Sequence, residues 1–593
     1  MYSAYMNRWL EIDLTDRKVQ AGSLDMSVLD AYIGGKGLGF KLLTDRALRA
    51  KPFSPENPII FVTGPLTGSH VPTAARSALV TKSPLFGGAL DSHVGGSIGP
   101  MIKATGHDYI TISGAASSPV VVHMSPKGVE FLDASDLWGK GVFETEKRLK
   151  ERFPESGVIS IGPAGENRVR FACVANDLYR HYGRGGAGAV MGSKNLKALV
   201  IEGDHKQVEY FDRETFMKLN RDLVKDVVSH PSRERRYELG TMMWVRMGQE
   251  IGRFLPTRNF QEGKFEDYEK ITSEAMKEEL NWEHTGCWRC IIRCSKKAKW
   301  DGKELEGPEY ETTAYLGSGC GIADPKTIAE ANWLCDDLGM DTISCGVTAS
   351  FAMECVERGA ITNTDGLDLR FGNGEALLAL IPKIARREGI GDILAEGTRR
   401  AAEEIGQGSG YYAIQTAGME HSGVNVKGCV SMGLALATSD FASHTRLWTA
   451  TDEMSGTLQV KDLPRYVMRG QDEVSTRNSL IVCDFLMYSL ERLAPILNAA
   501  TGMNVTPDGL MTVGERISNL ARMFNRKNGR VHADDTLPER FFVEPITAGI
   551  LEGKRLKPAF FESLIQKYYW ERGWHPNGSP TDQKLKELEL ERL

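Results

Sequence analysis

Between Trp9 and about Ile201 the apolar positions fall in short β-branched runs separated by glycine and proline: Ile12-Asp-Leu-Thr, Ile59-Ile-Phe-Val, Ser77-Ala-Leu-Val-Thr, Tyr109-Ile-Thr-Ile, Val120-Val-Val-His, Val158-Ile-Ser-Ile and Ala198-Leu-Val-Ile. Runs of this kind, with few long helical stretches between them, predict a sheet-rich first domain. After Glu202-Gly-Asp the period changes. Arg213 to Val224, Thr327 to Leu338 and Thr342 to Val356 carry apolar residues at helical spacing, with Gly339 and Gly359 as helix stops. Further helical blocks run from Gly374 to Glu388 and from Gly391 to Ile405, the second ending at a Gly406-Gln-Gly-Ser-Gly turn. Val513 to Asn525 reads as an amphipathic helix, and the aromatics of Phe560 to Trp570 recur at the intervals of core packing. The predicted fold class is α+β: a β-rich domain over residues 1–205, then two mainly helical domains over 206–410 and 411–593. No internal repeat at a fixed period shows.

A chain of 593 residues exceeds a single ordinary core, and 41% hydrophobic with 25% charged residues is the balance of a globular protein. Set against 78 acidic side chains, 72 basic ones leave a net charge of −6, which gives nucleic acid no general attraction. The sequence has no run of 18 apolar residues and no apolar leader after Met1, so no membrane span is expected and the expected location is cytoplasmic. Thiols stay reduced there, and disulfides are not expected. Glycine concentrates in loops of the first domain: Gly34-Gly-Lys-Gly-Leu-Gly39, Thr63-Gly-Pro-Leu-Thr-Gly68, Gly95-Gly96-Ser-Ile-Gly99, Gly162-Pro-Ala-Gly-Glu-Asn167 and Gly183-Arg184-Gly-Gly-Ala-Gly188. Singly each could serve a turn; together, several beside an Arg or Lys, they suggest backbone amides laid against phosphate oxygens. None has the Gly-Lys-Ser/Thr ending of a nucleoside-triphosphate loop, and the first lacks dinucleotide-fold spacing.

The densest chemistry is Cys287-Trp-Arg-Cys290-Ile-Ile-Arg-Cys294, three thiols in a chain with 10 cysteines. The spacing brings the sulfurs to one side of a tight turn but leaves a four-coordinate site one ligand short. Zinc, an iron–sulfur cluster, and inert or disulfide-forming thiols are the open readings. The cluster is favoured, because a structural zinc site pairs two Cys-x-x-Cys hooks and no second hook exists. Among remote cysteines, Cys335, Cys345 and Cys355 lie in apolar helical patterns, as buried free thiols do. Cys483 ends the apolar run Leu480-Ile-Val and meets Asp484-Phe485 at a strand or loop edge.

These motifs in this order resemble the tungsten-containing aldehyde ferredoxin oxidoreductase family. The resemblance runs from Trp9 to about Trp574, through Gly64-Pro-Leu-Thr-Gly, Arg76 with Thr81-Lys-Ser-Pro, Gly162-Pro-Ala-Gly-Glu-Asn, the Gly183 loop, the cysteine trio, Glu306-Gly-Pro-Glu-Tyr-Glu311 and Asp336-Asp-Leu-Gly339-Met-Asp341. It implies a β-rich domain lying over a tungsten bis-pterin, with pterin phosphates bridged by Mg2+, and two helical domains. Arg76 and Arg180 then resemble phosphate-binding arginines, the backbone at His181 resembles a carbonyl supporting magnesium, and His93, beside Gly95 and Gly96, falls where the family has an asparagine near that ion. Asp336, Gly339 and Asp341 resemble the first pterin motif. The second copy reads Asn478-Ser-Leu-Ile-Val-Cys483, which keeps the cysteine and so completes a [4Fe-4S] ligand set with Cys287, Cys290 and Cys294, while Asn478 replaces the pterin-binding aspartate. Arg446 resembles a basic residue approaching a pterin.

For catalysis the resemblance implies Glu311 and His444, one accepting a proton and the other hydrogen-bonding the carbonyl oxygen, in oxidation of a small aldehyde to its carboxylic acid. Electrons would leave through the cluster to ferredoxin or a ferredoxin-like iron–sulfur subunit. Other classes to be weighed are a low-potential reductase of a carboxylic acid or aromatic acyl-CoA, and a non-catalytic electron-transfer scaffold. In Glu330-Ala-Asn-Trp333 a tryptophan stands where the family's metal-bridged dimer has a histidine, so any dimer is expected to lack that bridge.

Overall fold

The computed structural model describes residues 1–593 except 205–207, 252–253, 486–487, 549–550 and 592. The boundary expected between residues 205 and 206 lies outside the described residues.

The first 200 residues form two six-stranded sheets. The first contains β1 (Arg8–Asp13), β2 (Lys18–Ser23), β3 (Ile59–Val62), β4 (Ser77–Lys82), β5 (Ala89–Val94) and β6 (Tyr109–Ser113), in the order β2-β1-β6-β3-β4-β5. The second contains β7 (Val120–Ser125), β8 (Gly128–Asp133), β9 (Gly157–Ser160), β10 (Val174–Asn176), β11 (Arg180–Tyr182) and β12 (Leu196–Ile201), in the order β11-β10-β9-β12-β7-β8. Each sheet has one parallel pair, β1 with β6 and β7 with β12, among antiparallel neighbours.

Alternation along these strands explains the packing. Ile59, Phe61, Leu79, Ile110 and Ile112 of the first sheet share one core with Val120, Val122, Ile159, Leu199 and Ile201 of the second. The intervening residues point the other way: Ile60, Val62, Ala78 and Val80 join a core that includes Leu38, Phe40 and Leu43 of the helix Gly35–Ala47. Val121, Val158, Ala198 and Val200 pack with Leu149 of the helix Val142–Arg152. Both faces of the inner strands are therefore dry, which is why they read as continuous apolar runs. Ser77 Oγ, 2.7 Å from the Tyr182 hydroxyl, ties the sheets together where β4 and β11 meet.

The stretch Gly34 to Gly39, expected as a loop against phosphate, is mostly helix. Its glycines provide closeness: a Cβ on Gly37 would lie 2.4 Å from Tyr32 O, and one on Gly39 2.4 Å from Val80 Cγ2. The helix can therefore press against the sheet.

The rest of the chain is mainly helical. The helices Arg213–Ser229, Pro325–Leu338 and Thr342–Glu357 form where the spacing predicts them. The block expected from Gly391 to Ile405 is broken into Ile390–Leu394 and Thr398–Ile405, with Gly397 at φ 82° between them. A three-stranded antiparallel sheet, β13 (Glu283–Thr285), β14 (Ser295–Trp300) and β15 (Lys303–Glu306), interrupts the helices. The helix Leu463–Leu480 packs on Pro507–Lys527 and on Pro558–Glu571, whose Phe561, Tyr568 and Tyr569 are buried as core side chains. No helix among the described residues is long and apolar enough to cross a membrane.

Candidate active site

The loop from β13 to β14 carries Cys287, Cys290 and Cys294, anchored where Thr285 pairs with Ser295. Arg289 and Arg293, at φ 51° and 50°, turn the loop back on itself. The Trp288 N–H donates to Gly96 O at 3.1 Å, which holds the loop against the end of β5. Contact is so close that a Cβ on Gly95 would lie 2.5 Å from Cys287 Sγ. Cys483 arrives from the other end of the chain, in the loop that follows the helix Leu463–Leu480, with its N–H donating to Thr73 O at 3.2 Å. The loop reading of that residue therefore holds, and the strand reading does not.

The four thiols line one cavity of about 420 Å³. Burial pushes the Cys483 thiol up to about 12 and raises those of Cys290 and Cys294. Four cysteine sulfurs converging on one cavity are the donor number and type that a [4Fe-4S] cluster takes, so the donor set fits such a cluster. Among the described residues no three His, Cys, Asp or Glu side chains gather closely enough for a single metal ion. Arg76 stands beside the thiols, 3.8 Å from Asp484. Burial opposes its charge, but Cys483, Asp484, Cys287 and Cys294 raise its pKa.

Glu311 and His444 line the same cavity. Glu311 sits in the first turn of the helix Tyr310–Leu316, and His444 opens the short turn His444–Arg446. Ser422 and Gly423 join them. The Gly423 N–H donates to Glu311 Oε2 at 2.7 Å, while Ser422 Oγ accepts from His444 N at 2.8 Å and lies 3.0 Å from His444 Nδ1. His444 Nδ1 is also 3.2 Å from Glu311 Oε1. The imidazole is thus held through Nδ1, leaving Nε2 without a hydrogen-bond partner among the described residues. Trp244, Tyr310, Ile343, Trp448 and Val474 give the cavity an apolar wall.

A second cavity of about 150 Å³ shares Arg180, Glu309, Thr312, Asp341 and Thr342 with the first. His181, Gly183 and Asp336 also line it. A Cβ on Gly183 would meet nothing within 4 Å among the described residues, so the loop leaves open room there. His181 Nε2 is buried with no hydrogen-bond partner among the described residues, 3.7 Å from Asp336 Oδ1, and burial lowers its pKa to about 4. Burial, Glu306 and Asp337 push the Asp336 carboxyl well above its ordinary value. An imidazole that burial favours as neutral and a carboxyl that burial pushes toward its protonated form, around an open polar space, suit the edge of a hydrogen-bonding heterocycle. Arg180 pairs with Glu306.

Asp341 has local duties: it caps the helix Thr342–Glu357 through the Ile343 N–H at 3.0 Å and accepts from Arg184 Nε at 3.1 Å. Arg184 also donates to Glu420 O at 2.6 Å, which links the Gly183 loop to the Ser422 segment. Gly339 ends its helix at φ 76°, ψ 52°. Ile481, three residues beyond the buried Asn478, ends its own helix at φ 64°, ψ 46°. The two helix ends have the same left-handed cap, although the second is a β-branched residue for which that backbone is costly.

Arg446 makes ion pairs within the protein. Its Nη1 lies 2.8 and 2.9 Å from the two Asp91 oxygens, and 3.5 Å from Asp440, while Nε is buried without a hydrogen-bond partner among the described residues. Lys36 completes a buried quartet, bonded to Asp440 and 3.5 Å from Asp91. His93 Nε2 is 2.8 Å from Asp91. Burial lowers the His93 pKa although Asp91 opposes this. Ser422, Asp91 and Asp440 escape sequence reasoning because a serine or aspartate carries no positional signal alone; Lys36, in the first glycine-rich stretch, faces these carboxylates from a helix.

At the expected dimer-bridge position, Glu330 pairs with Lys303 at 2.5 Å, and Lys303 Nζ lies 4.4 Å over the Trp333 ring. Phe143 packs on that ring with centroids 5.3 Å apart.

The chain matches the family description "Aldehyde ferredoxin oxidoreductase, N-terminal domain" over residues 9–203 and "Aldehyde ferredoxin oxidoreductase, domains 2 & 3" over residues 218–590. It is 39% identical to the tungsten-containing aldehyde ferredoxin oxidoreductase of Pyrococcus abyssi and 38% identical to that of Pyrococcus horikoshii, each over 610 residues, covering 99% of both chains. A chain of the active site complex BamBC of benzoyl coenzyme A reductase superposes with a TM-score of 0.88 at 24% identity, covering 100% of this chain and 98% of that one; this is a likeness of fold. With both family regions matched along nearly its whole length, the chain belongs to the aldehyde ferredoxin oxidoreductase family.

Proposed function

We propose that the protein oxidises a small aldehyde to its carboxylic acid and passes the two electrons to a ferredoxin-type iron–sulfur protein. The observation that carries this reading is the meeting of Glu311 and His444 at 3.2 Å on the wall of the cavity that four thiols also line. Cys287, Cys290, Cys294 and Cys483 would hold a [4Fe-4S] cluster. Arg76, Arg180, His181, Gly183, Asp336 and, at the second helix end, Asn478 would face two pterins and their Mg2+-bridged phosphates. Tungsten held by those pterins would supply the two-electron oxidation, and the cluster the one-electron relay.

The protein's own groups then orient the substrate and move its protons. An aldehyde would enter past the aromatic walls of Trp244, Tyr310 and Trp448. His444, fixed through Nδ1 by Ser422, would donate from Nε2 to the carbonyl oxygen as negative charge grows there. Glu311, held at Oε2 by the Gly423 amide, would accept at Oε1 the proton released when water oxygen adds to the carbonyl carbon. Arg184 and Asp341 would serve by positioning the Ser422 segment. We further propose three domains, over 1–205, 206–410 and 411–593, with the site at their junction, and a dimer, if one forms, without a bridging metal, because Lys303 and Trp333 occupy Glu330 instead.

Elemental analysis of anaerobically purified protein, joined to aldehyde-dependent reduction of a viologen dye, tests this reading. Tungsten, pterin and iron with aldehyde turnover are expected; iron alone with no turnover would refute it.

A further inference from the structure

The three-thiol loop is a partition. Its inner side faces the cavity of Glu311 and His444; its outer side, through Trp288 and Arg289, walls a separate hollow of about 500 Å³. Trp288 and Arg289 stand between Cys287 and Cys290 in the chain, so this hollow reaches the thiols through the thickness of one loop.

The hollow is cationic at its rim. Arg8 and Arg289 line it and are exposed, and exposed Arg213 opens the neighbouring helix Arg213–Ser229. Burial lowers the pKa of His70 on this wall, and the charges of Arg289 and Arg213 lower it further. Among the described residues no carboxylate lies within 4.0 Å of Arg8, Arg213 or Arg289, whereas Asp204 on the wall is itself engaged. Arg289 stacks over Trp288 at 4.4 Å, and Tyr210 with His70 gives a second partly exposed ring pair. Arginine and aromatic side chains around a concave centre are the composition of protein interfaces. A chain of net charge −6 repels an acidic protein at long range, so unpaired cations gathered around this hollow would favour it as the place where such a partner settles.

We propose that this hollow is the docking surface for the acidic iron–sulfur protein that accepts the electrons, with Arg8, Arg213 and Arg289 facing its carboxylates. The proposal rests on the electron-transfer role given above. Each encounter moves one electron from the reduced cluster to the oxidised partner cluster, and two encounters clear the pair released by one aldehyde.

The test is stopped-flow reduction of a small acidic ferredoxin by dithionite-reduced holoenzyme, freed of excess reductant. This arm needs no aldehyde and so is independent of the proposed substrate. Arg8→Glu and Arg213→Glu are each expected to lower the second-order rate at least roughly tenfold at low salt and to flatten its salt dependence, while reduction of a viologen dye stays at the parent rate. Arg289→Glu, made with iron content verified, should do the same. Unchanged ferredoxin rates in all three variants would overturn the proposal. So would equal losses toward ferredoxin and dye in variants with full iron, which would put the arginines on the internal electron path.

Discussion

Adding one methyl group at Gly95 tests how tightly the thiol loop is seated. Gly95 is absent from the residues at positive φ, so alanine meets no backbone penalty there and the effect must come from space. The new Cβ would lie 2.5 Å from Cys287 Sγ, well inside the ordinary contact distance of about 3.5–4.0 Å. A free thiol could swing aside, but a thiolate fixed to a cluster has one permitted place. The strain therefore falls on the ligated state. Overpacking of this kind costs about 1–3 kcal/mol, which at about 1.4 kcal/mol per tenfold weakens cluster retention by about 5- to 150-fold. The assay is iron and sulfide per chain after anaerobic dialysis against a chelator, with the electron paramagnetic resonance spectrum of the reduced protein. Gly183→Ala is the matched control: its Cβ meets nothing within 4 Å among the described residues but enters the second cavity, so it should spare iron and lower tungsten and pterin content. Gly95→Ala protein with full iron and the parent spectrum would refute the reasoning.

Three further outcomes are expected. Glu311→Gln and His444→Asn should each keep the cofactors yet lower kcat for aldehyde oxidation by at least roughly 10²-fold; near-parent turnover of a loaded Glu311→Gln enzyme would remove that carboxylate from proton transfer. At Ile481, in a left-handed cap and fully buried, glycine should be at least as stable as alanine although it removes more atoms, because alanine keeps a backbone cost of about 1–2 kcal/mol that glycine escapes; a higher melting temperature for Ile481→Ala would contradict this. His421 is buried and neutral, its pKa lowered by burial to about 3, so an unfolded chain gains a proton there below about pH 6.5 that the folded one refuses. Its contribution to stability is complete above that pH and declines by up to about 1.4 kcal/mol per unit as pH falls toward 3. Calorimetry from pH 7 to pH 5 should show a smaller fall in Tm for His421→Gln than for the parent, and parallel falls would exclude the histidine.

The inner strands were legible because burial on both faces leaves a continuous apolar signature, as at Ile59 to Val62. The sheet among the helices was not: β14 reads Ser295-Lys-Lys-Ala-Lys-Trp, and its three lysines, of which Lys297 and Lys299 are exposed and Lys296 is buried, mask the buried Ser295 and Ala298. Gly34 to Gly39 misled because glycine marks close approach as well as turning, and only the neighbours, Tyr32 and Val80, distinguish the two. In the candidate site, the thiol spacing is local and therefore readable, whereas the bond from Ser422 to His444 exists only after folding. Sequence alone likewise gave Arg446 no reason to face Asp91.

That last contact also constrains how the protein can vary. Lys36, Asp91, Asp440 and Arg446 form two positive and two negative charges whose side chains are almost wholly withdrawn from the surface. Their total is neutral, and removing any one leaves a buried charge without its counterpart, a loss of about 3–5 kcal/mol. Paired replacement by fitting apolar residues is far cheaper. Variation among descendants of this sequence should consequently cross the quartet by compensated double steps, and a library of single substitutions here would understate what the fold can tolerate.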